Sequence, residues 1–200
     1  MNNPIQKPIF VFIGIPGSGK DTQAEFLAQE LHLPHIDIGN TLTNIIKNKG
    51  QHWEKIADTY KHGPVSSEIV MEIMENRFIK EDCKNGFILS QHTKSIVELE
   101  MMLELYERLG FDICKVFYLD VSVQTAIDRC VSRLNGVFNV KEPDLESIEI
   151  RIQNYYKIIQ DIILFYKEKN LLVRVDGEKS TTEIFNYILE VVEQSSTVLS

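Results

Sequence analysis

Gly14-Ile15-Pro16-Gly17-Ser18-Gly19-Lys20 constrains this chain more than any other stretch, because of what flanks it. Before it runs Pro8 to Ile13, apolar without alternation, as a strand buried on both faces requires. After it, from Thr22 to Leu31, apolar residues recur at helical spacing. The glycines let the backbone turn tightly and aim successive N–H groups at oxyanions near a helix start. Lys20 adds a mobile positive charge suited to outer phosphates. Strand, glycine-rich loop and helix in this order predict a phosphate-binding loop over residues 14–20. An ordinary glycine-rich turn would leave the placement of Lys20 without a reason.

The residue after the lysine departs from the common pattern. Where Ser or Thr usually reaches a nucleotide-bound magnesium ion, this chain has Asp21, with Thr22 next. Asp21 either faces solvent as a first-turn helix residue or adds negative charge beside the phosphates and weakens their hold.

The rest of the chain alternates between strand-like and helix-like stretches. Strands are expected at 10–13, 34–38, 86–89, 116–120 and 171–175. Helices are expected at 20–30, 41–49 with Asn40 at its start, 53–62, 67–81, 97–109, 123–133, 144–167 and 182–192. Phe26, Leu27 and Leu31 are expected to pack onto the sheet. Ile69, Val70, Ile73, Met74 and Phe78 form one core stripe, and Ile148, Ile152, Tyr155, Ile159, Ile162 and Tyr166 another. This alternation predicts an α/β fold, a parallel sheet covered by helices on both faces, with ligands at the carboxyl ends of the strands.

At 200 residues the chain reads as one domain, 1–200. A net charge of −8 argues against a general nucleic-acid surface and is compatible with a local positive pocket. Cys83, Cys114 and Cys130 form no metal-ligand spacing and read as buried thiols of a reducing compartment. The opening Met-Asn-Asn-Pro-Ile-Gln lacks the layout of a secretory leader, and no stretch is long and apolar enough for a bilayer. The expectation is a cytoplasmic monomer without membrane or nucleic-acid partners.

A phosphate loop fits both a kinase acting on a small acceptor and a nucleotide-hydrolysing switch. A switch needs an acidic residue at a strand end for magnesium, and Leu119-Asp120 has that form, yet no guanine-reading Asn-Lys-x-Asp run occurs. Basic residues stand instead at Lys94, Arg129, Arg133 and Arg151, with Arg129 and Arg133 one helical turn apart. Singly each reads as a surface or salt-bridge residue, with Asp128 and Glu149 as available partners. Together, downstream of a phosphate loop, they suit a phosphoryl group in transfer.

From Ile9 to about Val192 the sequence resembles the adenylate kinase family of nucleoside monophosphate kinases in its short-lid form. The opening motif is Phe12-Ile13-Gly14-Ile15-Pro16-Gly17-Ser18-Gly19-Lys20-Asp21-Thr22-Gln23-Ala24, which departs only at Asp21, where glycine is usual. Further landmarks are His35 to Gly39, Glu81 to Leu89, Arg129 to Arg133, Arg151 before Ile152-Gln153-Asn154-Tyr155, and Val173 to Gly177. The resemblance implies a P-loop nucleoside triphosphatase-like fold with a helical acceptor-binding insert at 38–66 and a short lid at 134–143. It also implies reversible transfer of the terminal phosphoryl of ATP to a nucleoside monophosphate, with Mg2+. ATP or ADP would contact Gly14, Pro16, Gly17, Ser18, Gly19, Lys20, Asp21, Thr22 and Arg129, the last packing over the donor base. Lys20, Lys94, Arg133 and Arg151 would serve transfer. Gly39, Asn40, Thr43, Val65, Lys94 and Glu98 would face the acceptor.

The acceptor half departs from the family pattern. Thr-Gly-Asp followed by an arginine becomes Ile38-Gly39-Asn40 with Thr43, and Asp-Gly-Phe-Pro-Arg-Thr becomes Ser90 to Ser95. Glu98 matches a base-reading glutamine, and Val140 and Glu142-Pro143 replace lid charges. Thr43 cannot offer a bidentate fork, and Lys94 offers only a point charge. Asn40 and Ser90 replace acidic positions that hold a metal's water shell. Losing one positioned transition-state donor costs about 3 to 4 kcal/mol. The chain therefore reads as a nucleoside monophosphate kinase for AMP or an altered acceptor. A nucleotide-binding pseudokinase or regulatory protein is the alternative, and transfer to an acceptor that is not a nucleotide stands behind both.

Overall fold

Five parallel strands form one sheet, and the phosphate loop leaves its middle strand. The computed structural model describes residues 7–62, 65–90, 93, 95–135 and 145–196. The strands are β1 (Pro8–Ile13), β2 (His35–Asp37), β3 (Phe87–Ser90), β4 (Asp112–Asp120) and β5 (Leu172–Asp176), in the spatial order β2-β3-β1-β4-β5. The helices are α1 (Lys20–Leu31), α2 (Ile38–Lys47), α3 (Trp53–His62), α4 (Ser67–Phe78), α5 (Ile96–Leu109), α6 (Val123–Asn135), α7 (Leu145–Glu168) and α8 (Thr181–Ser196).

The residues of β1 explain why the sheet is covered twice. Ile9, Val11 and Ile13 point into a core shared with Met74, Phe78, Leu99, Met102, Ile152 and Tyr166 from α4, α5 and α7. Phe10 and Phe12 point the other way, against Leu27 of α1 and Ile188 of α8. The two expected helix stripes hold: Val70, Ile73, Met74 and Phe78 are buried, as are Ile152, Ile159, Ile162 and Tyr166. Burying each large apolar side chain contributes about 1.5 to 3 kcal/mol. That burial on both faces anchors β1, from whose end the loop leaves.

Element ends depart from expectation where side chains cap or pair. Helix α2 begins at Ile38 because the Asp37 carboxylate accepts the Asn40 N–H at 2.8 Å, which places Asn40 in the first turn rather than at the helix start. Helix α4 stops at Phe78, and Arg77 grips Asp82 through two bonds of 2.8 and 2.7 Å across a single 3-10 turn at Glu81–Cys83. Strand β4 starts at Asp112, earlier than its apolar run, because it pairs with β1 from Pro8 onward across an irregularity at Ile9/Phe10. Phe26 meets Phe185 of α8 edge-on, with ring centroids 5.7 Å apart, and is not part of the buried sheet packing.

Candidate active site

The loop between β1 and α1 owes its path to close backbone contacts. A side chain at Gly17, which has φ +85°, would place its Cβ 2.4 Å from the Ala126 carbonyl oxygen of α6. One at Gly14 would meet Ser18 Oγ at 2.5 Å and the Leu119 carbonyl at 2.9 Å. The loop is thus clasped between its own turn, the end of β4 and the first turns of α6. Its closing bond runs from Ser18 N–H to the Ile15 carbonyl at 3.0 Å.

Three polar side chains are sealed into this turn. Ser18 is 1% exposed, and its hydroxyl has no hydrogen-bond partner. Lys20 is 3% exposed and donates to Asp21 Oδ2 at 2.9 Å. Gln23 donates to the Thr181 carbonyl of α8 at 3.0 Å. A buried hydroxyl without a partner is costly, which makes Ser18 a natural donor to an incoming oxyanion. Asp21 does not simply face solvent: its carboxylate turns back onto the Lys20 ammonium.

Arg129 is the arginine that the structure joins to this loop. From α6 it donates to the Ser18 carbonyl at 3.3 Å and to the Gly177 carbonyl at 3.0 Å, bridging the phosphate loop to the turn after β5. Asp128, a possible partner of the arginines, instead accepts from Gln124 at 2.9 Å. Arg133 is exposed one turn farther along α6, and Arg151 is exposed on α7. Asp120 holds no free carboxylate for a metal, since Tyr118 donates to it at 2.9 Å and Arg174 pairs with its other oxygen. Among the described residues no group of three metal-ligating side chains occurs.

On the other side of β1 the acceptor candidates are bound up locally. Thr43 donates to the Gly39 carbonyl at 2.9 Å, and the Asn40 amide donates to Asp37 at 3.2 Å. Both side chains are exposed and spent within α2. Val65 is 4% exposed and Glu98 2%, and Glu98 accepts from Ser67 at 3.0 Å. Ser90, fully buried at the end of β3, contacts His35 Nε2 at 2.6 Å, while His35 Nδ1 faces Glu25 at 3.0 Å. The pairings of Ser67 with Glu98, of His35 with Ser90 and of Gln23 with the Thr181 carbonyl were not legible in the sequence, because each joins residues far apart along the chain. Lys94 and His92 lie outside the described residues, as do 136–143 of the expected lid, whose first residues, 134 and 135, belong to α6.

Tyr155 of α7 links the two halves. Its phenol is pushed well above its ordinary range, by burial first and then by the charges of Asp21 and Glu98. The phosphate-loop carboxylate and the buried carboxylate of α5 therefore act on one side chain.

A model of the adenylate kinase family matches residues 12–171, from the end of β1 to the residue before β5. The chain belongs to the adenylate kinase family. It is 31% identical to an adenylate kinase of Caldicellulosiruptor bescii, over 91% of this chain and 97% of that one. It is also 31% identical to one of Methanocella arvoryzae, over 88% and 94% of the two chains, and 30% identical to one of Caldanaerobacter subterraneus, over 89% and 93%. Members of the adenylate kinase family are ATP-dependent nucleoside monophosphate phosphotransferases, and this chain belongs to that reaction class. No helix of the described residues is long and apolar enough to cross a membrane.

Proposed function

We propose that this chain transfers the terminal phosphoryl group of magnesium-bound ATP to a nucleoside monophosphate, with AMP as the first acceptor to consider because the relatives are named adenylate kinases. The observation that carries this reading is the sealed loop: a buried Lys20 and a partnerless Ser18 hydroxyl at the carboxyl end of the middle strand. A buried ammonium and a buried hydroxyl donor suit a polyphosphate better than any neutral ligand.

In this reading Gly14, Pro16, Gly17, Ser18, Gly19, Lys20, Asp21 and Thr22 line the donor phosphates, and Arg129 flanks the donor nucleotide from α6. An oxygen of the acceptor phosphate attacks the terminal phosphorus while the bond to the departing ADP oxygen breaks. Lys20, with Lys94, Arg133 and Arg151, offsets the charge that shifts between those oxygens. Mg2+ enters as part of the nucleotide substrate. Gly39, Asn40, Thr43, Val65 and Glu98 face the acceptor, residues 38–66 form its insert and 134–143 the lid that excludes water. The locally satisfied Asn40 and Thr43 imply weaker grip on the acceptor phosphate than an arginine fork provides. We further infer a cytoplasmic monomer.

The test is a coupled steady-state assay with magnesium and ATP against AMP, CMP, UMP, GMP and their deoxy forms. Turnover with an acceptor that is lost in Lys20→Ala supports the proposal. No turnover with any acceptor, in a preparation that binds ATP, would overturn it.

A further inference from the structure

The phosphate loop carries its own counter-ion. Asp21 is the residue directly after the loop lysine, and its Oδ2 lies 2.9 Å from Lys20 Nζ. The two side chains differ sharply in access, Lys20 being 3% exposed and Asp21 37%. The cation is thus inside the loop and the carboxylate lies against it, its Oδ1 buried as well, so phosphates drawn to Lys20 come close to both charges. The family's usual glycine at this position would leave the lysine charge uncompensated.

Charge arithmetic gives this arrangement a direction. Without Asp21 the loop offers one full positive charge to any polyphosphate. With it, the pair is close to neutral, and an anion approaching Lys20 meets the Asp21 carboxylate at comparable distance. Free ATP carries about two more negative charges than its magnesium complex, so the carboxylate repels the free form more strongly. Partial burial limits screening by salt, which keeps this difference alive at moderate ionic strength. We propose that Asp21 makes the phosphate loop selective for the magnesium-complexed nucleotide over the free nucleotide, acting as a specificity-determining residue at the donor site. The proposal rests on the donor-site reading above and adds a discrimination between two forms of one ligand. The Asp21 charge also helps, after burial, to raise the Tyr155 phenol.

The experiment is calorimetric titration of the full chain with ATP in excess EDTA and, separately, with ATP in excess magnesium, for wild type, Asp21→Asn and Asp21→Gly. Removing the carboxylate is expected to tighten free ATP by about tenfold and magnesium-bound ATP by less than about threefold. The contrast is expected to shrink as salt rises, as an electrostatic cause requires. Equal factors for both forms in both variants would overturn the proposal, because they would mark Asp21 as a structural residue of the helix start. So would affinities that do not move, with the donor site itself intact. Failure of wild type to bind either form would overturn the donor-site reading together with this one. Circular dichroism of each variant, matched to wild type, confirms that folded proteins are being compared.

Discussion

Arg129 donates to the main-chain carbonyl of Ser18 at 3.3 Å, so a helix residue 111 positions away in sequence holds the phosphate loop in shape. Its second bond, to Gly177 at 3.0 Å, ties the same guanidinium to the turn after β5. A lysine has one compact head and cannot span both carbonyls in the same plane. Arg129→Lys is expected to weaken magnesium-ATP binding by about tenfold or more, within the range for a lost charged hydrogen bond of about 1.5 to 3 kcal/mol. Isothermal titration of the variant measures this. An unchanged affinity would show that the loop keeps its shape without the clasp.

Gly17 tests the same clasp from the opposite side. Its φ of +85° disfavours any L side chain, and a Cβ there would stand 2.4 Å from the Ala126 carbonyl oxygen. That neighbour is helix backbone and cannot swing aside. Gly17→Ala is expected to push the loop off α6, cost about 2 kcal/mol or more of stability and lose nucleotide affinity at least as strongly as Arg129→Lys. Denaturant melts and titration together check it. Lost binding with wild-type stability would mean that the strain is confined to the loop.

The fold and the elements on either side of the glycine-rich loop were legible in the sequence for a physical reason. Glycine spacing, an unalternating strand and a lysine at the helix start are local signals, and both β1 and α1 follow from them. Phe26 was misplaced because helical spacing cannot tell a sheet from a neighbouring helix as the covering surface. The start of α2 was misplaced because Asp37 and Asn40 are both good caps, and only backbone geometry decides between them. Asp21 turned toward Lys20 rather than solvent, a choice that depends on how deeply the lysine is buried. The acceptor half is less legible because Ser90, His35 and Ser67 come together only when separate strand ends and helix starts converge.

Two buried tyrosines carry hydroxyls that the core does not use. Tyr106 and Tyr166 are 2% and 0% exposed, and neither hydroxyl has a hydrogen-bond partner. Burial pushes both phenols upward, and for Tyr106 the nearby Tyr166 adds to the effect. Removing an unbonded buried hydroxyl gives back its desolvation cost and leaves the ring packing intact. Tyr166→Phe is therefore expected to be neutral or to stabilise by up to about 1 kcal/mol, measured by urea unfolding. A loss above about 1 kcal/mol would reveal a hydrogen bond, most simply through a buried water.

The thiols separate by burial in a way that pH reports. Burial is the main cause that pushes Cys83 and Cys114 up from 9.0 to about 11, whereas Cys130 is only half-buried on α6. At pH 8 the two buried thiols are then about one part in a thousand thiolate, the reactive form, and their access is closed as well. A disulfide reagent is expected to modify one thiol per native chain rapidly, at Cys130, and all three after denaturation. Because their folded-state values are raised, Cys83 and Cys114 help the native state fully below about pH 9. That help fades as pH climbs through about 11. Stability followed by denaturant titration between pH 8 and 11 should fall for wild type, and fall less for Cys83→Ala and Cys114→Ala, each compared with its own value at pH 8. Parallel pH curves for the three proteins would mean that other groups govern the alkaline limb.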